Sequence, residues 1–220
     1  MSISIRLDGP RLEPKGGTPD RLIVLLHGLG ADGDDLIGLA PHWQSVLPTA
    51  AFIAPNAPFP CDMAPYGYQW FSLQDRTPAR ILAGVQAAAP MLDAFLDELL
   101  ESYRLGPERL ALVGFSQGTM MAMHVAMRRD KPVAGVVGFS GALVGAELLA
   151  EDIRSRPPVL LVHGDADQIV PVQASRLALG ALEAAGIKAR LVVRPGLPHS
   201  IDGVGLTEGA AFLREAFGAG

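Results

Sequence analysis

Ser116 stands between two glycines in the run Gly114-Phe115-Ser116-Gln117-Gly118. Residues 110–113 before it are continuously apolar, and residues 119–129 after it read as a helix. A serine at the tip of a strand-to-helix turn, with glycine on either side, is the pattern of a nucleophile elbow. The turn is so tight that side chains at 114 and 118 would collide, and glycine has no Cβ to do so. The serine hydroxyl is pushed out beside a helix N-terminus, which favours developing negative charge. By itself the pattern is weak, because a chain with 25 glycines offers chance matches. Gly138-Phe139-Ser140 repeats its first half after another apolar run. There Ala142 stands where the closing glycine belongs, and no helix begins at once. Ser116 is therefore the expected nucleophile. The bland alternative is an ordinary turn that happens to hold a serine, and the partners decide between the two.

A serine hydroxyl is a poor nucleophile at neutral pH; it needs a base, and the base needs an orienting acid. In elbow folds these follow in the order serine, acid, histidine. Three histidines follow Ser116. His124 lies two turns along the helix after the serine and is expected in the packing or toward solvent. His163 ends an apolar run, with Gly164 and Asp165 beside it as turn chemistry. His199, in Pro195-Gly196-Leu197-Pro198-His199-Ser200, follows the last strand and is the expected base. The acid should come from the strand before, where His163-Gly164-Asp165-Ala166-Asp167 offers two carboxylates. Loop position favours Asp167, with Asp165 accepting nearby backbone N–H groups as a turn former. The reverse assignment has Asp167 capping a helix near Pro171 and Asp165 as the acid.

An acyl-transfer site also needs two donors aimed at the developing oxyanion. The backbone N–H of Gln117, next to the nucleophile, is one. The other should come from the turn after an earlier strand, and His27-Gly28-Leu29-Gly30 offers the Leu29 N–H. The same glycines could equally just end a strand tightly.

Stepping out from these residues, strands and helices alternate along the chain. Residues 2–8 alternate as an edge strand, and 9–19 read as a loop. Residues 22–26 form a continuous apolar run, typical of a strand buried on both faces. A helix broken near Pro41 is expected over 32–47, and a strand over 51–54. Residues 55–77 form a long irregular stretch bearing Phe59, Tyr66, Tyr68, Trp70 and Phe71. Such a loop in a compact domain is functional or disordered, and its aromatic load argues against disorder. Its rings either line an acyl or alcohol pocket or simply cover a sheet end. Thr77-Pro78 should start a helix with a capping hydroxyl, carried to Tyr103 on a helical apolar period, with Pro90 as a kink. Strands are expected over 133–138, 159–162 and 189–193, and helices over 171–185 and 203–217. The implied fold is α/β: a mostly parallel central sheet with helices on both faces, in one domain over 1–220. The roughly 20 residues between Phe139 and Val159 are too few for a separate cap domain. In such sheets the chemistry lies at the carboxyl ends of the strands, where each residue singled out above falls.

Net charge is −5 with no basic cluster, which argues against a nucleic-acid partner. The histidines are scattered and Cys61 is the single cysteine, so neither a structural metal site nor an internal disulfide is expected. No signal-like N-terminal run or membrane span is apparent, and a cytoplasmic protein without stable membrane insertion is the expectation.

Jointly these pieces resemble the carboxylesterase/phospholipase family of α/β-hydrolases, which includes acyl-protein thioesterases and small bacterial carboxylesterases. The matching segments are Leu25-Leu26-His27-Gly28-Leu29-Gly30, Pro55-Asn56-Ala57-Pro58, Gly114-Phe115-Ser116-Gln117-Gly118, His163-Gly164-Asp165 through Asp167 to Val170-Pro171, and the block around His199. The resemblance spans nearly the whole chain. It implies an α/β-hydrolase fold and makes the second aspartate, Asp167, the catalytic acid. It also implies that Trp70 and Phe71 form the substrate-cleft pair. The family pattern has an aspartate next, where this chain has Ser72; that bears on substrate preference and not on mechanism. The implied activity is hydrolysis of short- to medium-chain esters through Ser116, His199 and Asp167, with no metal or organic cofactor. The implied partner is a small ester or thioester; the oligomeric state is left open. Acyl-protein thioester or lysophospholipid hydrolysis is the alternative. A serine peptidase and a non-catalytic binding module of the same fold are further rivals.

Overall fold

A computed structural model describes residues 7–218. The edge strand expected over residues 2–8 lies largely outside that range. Among the described residues, nine strands and seven α-helices follow in chain order, the first half holding β1 (Arg11–Leu12), β2 (Arg21–Leu26), α1 (Gly33–Ile37), α2 (Ala40–Gln44), β3 (Ala50–Ile53), β4 (Phe59–Pro60), β5 (Tyr68–Gln69) and α3 (Pro78–Tyr103). The second half comprises β6 (Leu110–Phe115), α4 (Gln117–Ala126), β7 (Gly135–Phe139), α5 (Leu149–Asp152), β8 (Val159–Gly164), α6 (Gln173–Ala184), β9 (Ala189–Arg194) and α7 (Gly203–Ala216). Seven strands form one sheet in the order β1-β3-β2-β6-β7-β8-β9, parallel throughout except for the antiparallel β1–β3 pair.

The apolar runs are continuous because both faces of the sheet are covered. Alternate residues of β2 serve different layers. Leu22, Val24 and Leu26 join Leu110, Leu112, Val136 and Leu161 under α3, α4 and α6. Ile23 and Leu25 join Ala111, Val113, Phe139 and Val162 under α1, α2 and α7. Trp43 of α2, 1% exposed, locks the second layer, its indole N–H donating to the Leu206 carbonyl of α7 at 2.9 Å. Helix α3 is long and apolar enough by length and composition to cross a membrane. Its Val85, Leu92, Phe95, Leu96 and Leu99 are instead used in the first layer.

Several local expectations are corrected. Residues 11–12, read as loop, form the edge strand β1, because they pair with β3 at Ile53 and Phe52. The helix over 32–47 is two short helices, and the break falls at Gly38–Leu39, ahead of Pro41. Pro41 instead sits in the first turn of α2, where its missing N–H is no loss. The stretch over 55–77 contains a hairpin, β4 paired with β5. Its seven-residue connection has no two-residue turn signature by which to recognise it. Thr77 holds the N-cap position of α3, but its hydroxyl makes no capping bond. The connection from β7 to β8 holds α5 and no cap domain.

Candidate active site

The five segments singled out in the sequence all emerge at the carboxyl end of the sheet, after β2, β6, β7, β8 and β9. The elbow has the strain its residue types imply. Ser116 is one of three non-glycine residues with positive φ among the described residues, at φ 53° and ψ −115°. Such a backbone persists only where its surroundings enforce it. Here the Ser116 N–H donates to the Phe139 carbonyl at 2.8 Å, and the Thr119 hydroxyl lies 2.8 Å from the Gly114 carbonyl and 2.9 Å from that of Phe139. A Cβ on Gly114 would stand 2.3 Å from the Thr119 nitrogen, and one on Gly118 would stand 1.9 Å from the Leu26 carbonyl oxygen. Ser116 occupies the N-cap position of α4, yet its side chain makes no capping bond. Serine at that position ordinarily uses its oxygen to hold the second or third amide of the helix. Here the hydroxyl is left for something else.

The rival, Ser140, also has positive φ, 48°, but is 1% exposed, and its hydroxyl has no partner. It lies behind the elbow, sealed from solvent.

The expected acid and base meet. His199 Nδ1 lies 2.7 Å from Asp167 Oδ2. The Asp167 side chain is fully buried, whereas that of His199 keeps 17% of its surface exposed. The other carboxylate oxygen accepts the N–H groups of Ile169 and Val170, each at 2.9 Å. Burial alone would push the Asp167 pKa up. The His199 bond and the two amides outweigh it and hold the carboxyl below its ordinary value. An ionised Asp167 fixes the proton of His199 on Nδ1, leaving Nε2 as the lone-pair nitrogen. The His199 ring sits 4.8 Å, centre to centre, from the ring of Phe115, the residue before the serine. Asp165 instead accepts the Gly196 N–H at 2.6 Å, which ties the acid loop to the base loop. The turn-former reading of Asp165 therefore matches its contacts, and the reverse assignment does not.

The turn after β2 lies against the elbow. A Cβ on Gly28 would stand 3.3 Å from Ser116 Cβ. Among the described residues, neither the Leu29 N–H nor the Gln117 N–H donates to another backbone carbonyl outside the helices. Three groups hold this turn. The Gly30 N–H donates to Tyr68 and the Tyr68 N–H to Ala31, each at 2.8 Å, so β5 clasps the turn backbone to backbone. The Trp70 indole N–H donates to the His27 carbonyl at 3.1 Å. His27 Nε2 accepts the Ala57 N–H at 2.9 Å, so the ring proton lies on Nδ1, donating to the Gly28 carbonyl at 2.7 Å. Burial pushes the His27 pKa down, as befits an imidazole that must stay neutral to accept.

Trp70 and Phe71 require a correction. Trp70 has no exposed surface and Phe71 only 3%. They support the site from beneath and do not line an open cleft. The large apolar side chains that do reach solvent here are Met63, Tyr66 and Tyr68 on the hairpin and Ile169 beside Asp167. Sequence reasoning also missed the side chain of Gln117, which it read only for its backbone N–H. That amide accepts the Trp70 N–H at 2.8 Å and donates to the Phe71 carbonyl at 2.7 Å, pairing with the segment as a strand would. A buried glutamine beside an elbow serine was the available signal, since a buried amide must find two partners. Cys61 is buried and lies beneath Gly30. Of the two placements open to His124, the structure takes the packed one: it is buried in α4, and burial lowers its pKa to about 4.

Comparison with known proteins bears on the family and the fold. The model of the phospholipase/carboxylesterase family matches residues 7–216. Acyl-protein thioesterase 1 homolog 1 of Dictyostelium discoideum is 26% identical over 194 residues, covering 83% of this chain and 84% of that protein. Esterase YpfH of Escherichia coli is 28% identical over 190 residues, covering 84% of this chain and 80% of that protein. Among solved structures, esterase PE8 superposes with a TM-score of 0.93 at 46% identity, covering 96% of this chain and 100% of that one. A Zea mays acyl-protein thioesterase 2 superposes with a TM-score of 0.77 at 27% identity, covering 95% and 99%. The fold is that of the α/β-hydrolases, as these neighbours share it. A rice relative, 27% identical over 201 residues, is described as a probable inactive carboxylesterase. Kinship alone therefore does not assign a working site.

Proposed function

The chain belongs to the phospholipase/carboxylesterase family of α/β-hydrolases and is a hydrolase of carboxylic esters, and we propose that it acts through a Ser116–His199–Asp167 triad on short- to medium-chain acyl esters. The observation that carries this reading is the 2.7 Å bond between His199 and a buried carboxylate, formed beside an elbow serine whose hydroxyl caps nothing. His199 Nε2 takes the Ser116 proton as the hydroxyl attacks the acyl carbonyl. Asp167 holds the ring and stabilises the imidazolium that forms. The Leu29 and Gln117 N–H groups receive the oxyanion. His199 then protonates the leaving group, and water repeats the sequence on the acyl-enzyme. The exposed apolar side chains of Met63, Tyr66 and Tyr68, on the hairpin that clasps the Gly30 turn, and of Ile169, beside Asp167, support an acyl substrate. A thioester substrate, such as an S-acylated protein, is the second reading. It is supported by the relatives described as acyl-protein thioesterases, which the site chemistry fits equally.

The test is fluorophosphonate labelling of wild type, Ser116→Ala and Ser140→Ala, with turnover of p-nitrophenyl acetate, p-nitrophenyl butyrate and a matched butyryl thioester. Label and turnover should vanish only in Ser116→Ala. Activity should fall on acidification, because an imidazolium at His199 cannot take the Ser116 proton. Labelling that survives in Ser116→Ala, or a flat rate from about pH 5 to 9 with chemistry limiting, would defeat the reading. The ester-to-thioester ratio separates the two substrate classes.

A further inference from the structure

Asp167 Oδ2 faces a second imidazole. His163, at the end of β8, lies with Nε2 3.2 Å from that oxygen and 2.7 Å from the Val170 carbonyl, its side chain fully buried. Both neighbours of Nε2 only accept, because Asp167 is held ionised, so Nε2 carries a proton. On the other side, Nδ1 lies 2.7 Å from the Ser175 hydroxyl of α6, which in turn lies 3.3 Å from the Gly141 carbonyl. The neutral ring is satisfied by accepting from Ser175. The charged ring is satisfied by donating to it while Ser175 donates to Gly141. Either way the Nε2–H remains. That proton goes to the Val170 carbonyl, closing the loop 167–170, whose Ile169 and Val170 amides already bind Asp167 Oδ1, and it lies beside Oδ2 without being directed at it.

We propose that His163 is a positioning residue of the catalytic acid: its Nε2–H holds the Val170 carbonyl and so fixes the loop that orients the carboxylate, and the positive end of that N–H, close to Oδ2, moderates the basicity that Asp167 confers on His199. The proposal rests on the triad reading above. It explains why a histidine stands where an apolar residue would otherwise continue the strand. The sign follows from the proximity of that N–H to Oδ2. A carboxylate whose charge is partly offset by a nearby N–H dipole stabilises the His199 imidazolium less. Removing that donor leaves more charge facing His199, so His199 holds its proton more tightly. The titratable groups that face His163 are Asp167 and, across that carboxylate, His199. Helix α6 presents the Ser175 hydroxyl, and the loop after β7 presents the Gly141 carbonyl.

The experiment is the pH profile of kcat/KM, with kcat and KM resolved separately, for His163→Leu, His163→Gln and Ser175→Ala. Ser116→Ala and Asp167→Asn are run in parallel. His163→Leu should move the acid limb up by about half a pH unit or more. It should also lower the plateau kcat by about tenfold, with KM little changed. His163→Gln, which can place an N–H near the Nε2 position, should recover most of both. Ser175→Ala leaves the Nε2–H in place and should keep the wild-type limb. A folded His163→Leu whose limb is unmoved or lower overturns the proposal, as does a His163→Gln no better than His163→Leu. Should His163→Leu fail to fold, ¹⁵N-histidine spectra of wild type decide, with His163→Gln giving the assignment. A protonated His163 Nε2 that shifts in Asp167→Asn supports the proposal, and an unprotonated one overturns it. Full turnover in Ser116→Ala or Asp167→Asn would instead sink the triad reading itself.

Discussion

Two arms meet at Ser116, and they are built differently. The acid–base arm, from β8 and β9, is held by side chains: Asp167 on His199 and on the Ile169 and Val170 amides, Asp165 on the Gly196 amide. The arm after β2 is held mostly through backbone: Gly30 and Ala31 on Tyr68, Ala57 on His27, and the His27 carbonyl on Trp70. The first arm has to move protons, which only titratable side chains can do at neutral pH. The second has only to present N–H groups to a developing charge, and every residue but proline carries one. The difference predicts how each arm fails. The acid–base arm should fail abruptly at single residues, and the other gradually through its supports.

The largest expected effect tests the first half of that statement. Asp167→Asn should lower kcat by about 10⁴-fold, since the neutral amide can no longer hold the His199 proton on Nδ1. Asp165→Asn, two residues away, keeps an oxygen for the Gly196 amide and should stay within about tenfold of wild type. Equal losses in the two variants would mean that the loop as a whole matters, and not the carboxylate on His199. The read-out is kcat on p-nitrophenyl butyrate with circular dichroism as a fold control.

Next in size is Gln117→Ala. The variant keeps the backbone N–H next to the nucleophile and removes only the clasp on Trp70 and Phe71. Trp70 in turn holds the His27 carbonyl, so the turn bearing Leu29 should drift. A displacement on the order of 1 Å costs up to about 10²-fold in rate, so a kcat loss of about 10- to 100-fold is expected with fluorophosphonate labelling slowed but retained. Trp70→Phe removes the single indole bond from the same chain and should cost less, about three- to tenfold. If Gln117→Ala is as dead as Asp167→Asn, the second arm is no more forgiving than the first. If it is as active as wild type, the clasp does not reach the chemistry.

The same division explains what could be read from the sequence. The sheet was legible because strands buried on both faces leave unbroken apolar runs, as at 22–26 and 159–162. The nucleophile, acid and base were legible because each chemistry demands a residue type and the elbow demands glycine at 114 and 118. The supports were not. Nothing in Tyr66-Gly67-Tyr68 announces that its backbone will clasp the turn at Gly30, because backbone hydrogen bonding has no residue-type signature. Trp70 is a cleft residue only by the family resemblance; the aromatic residues alone leave ligand and core both open, and only the tertiary packing decides. His163 has no legible role beyond ending an apolar run beside the turn residues Gly164 and Asp165, because its use depends on Ser175 and Val170, which the fold brings to it.

The smallest expected effect separates the arms by pH. Burial holds the His27 pKa below its ordinary 6.5, and the bonds to His199, Val170 and Ile169 hold that of Asp167 below its ordinary 3.8. Both groups are depressed in the folded protein, so each contributes stability that is complete above its unfolded pKa and is lost as pH falls toward the folded one. For His27 that loss begins near pH 6.5, and for Asp167 only near pH 3.8. A protonated His27 cannot accept the Ala57 N–H, so acidification from pH 7 to about 5 should loosen the β2 arm first. Hydrogen exchange, corrected for intrinsic rate, should quicken by about two- to fivefold at Ala57, Gly30 and Trp70 over that range. The Ile169 and Val170 amides on Asp167 should hold their protection. Exchange that quickens equally in both segments would show that the two arms open together, as one cooperative unit and not as separately supported halves of the site.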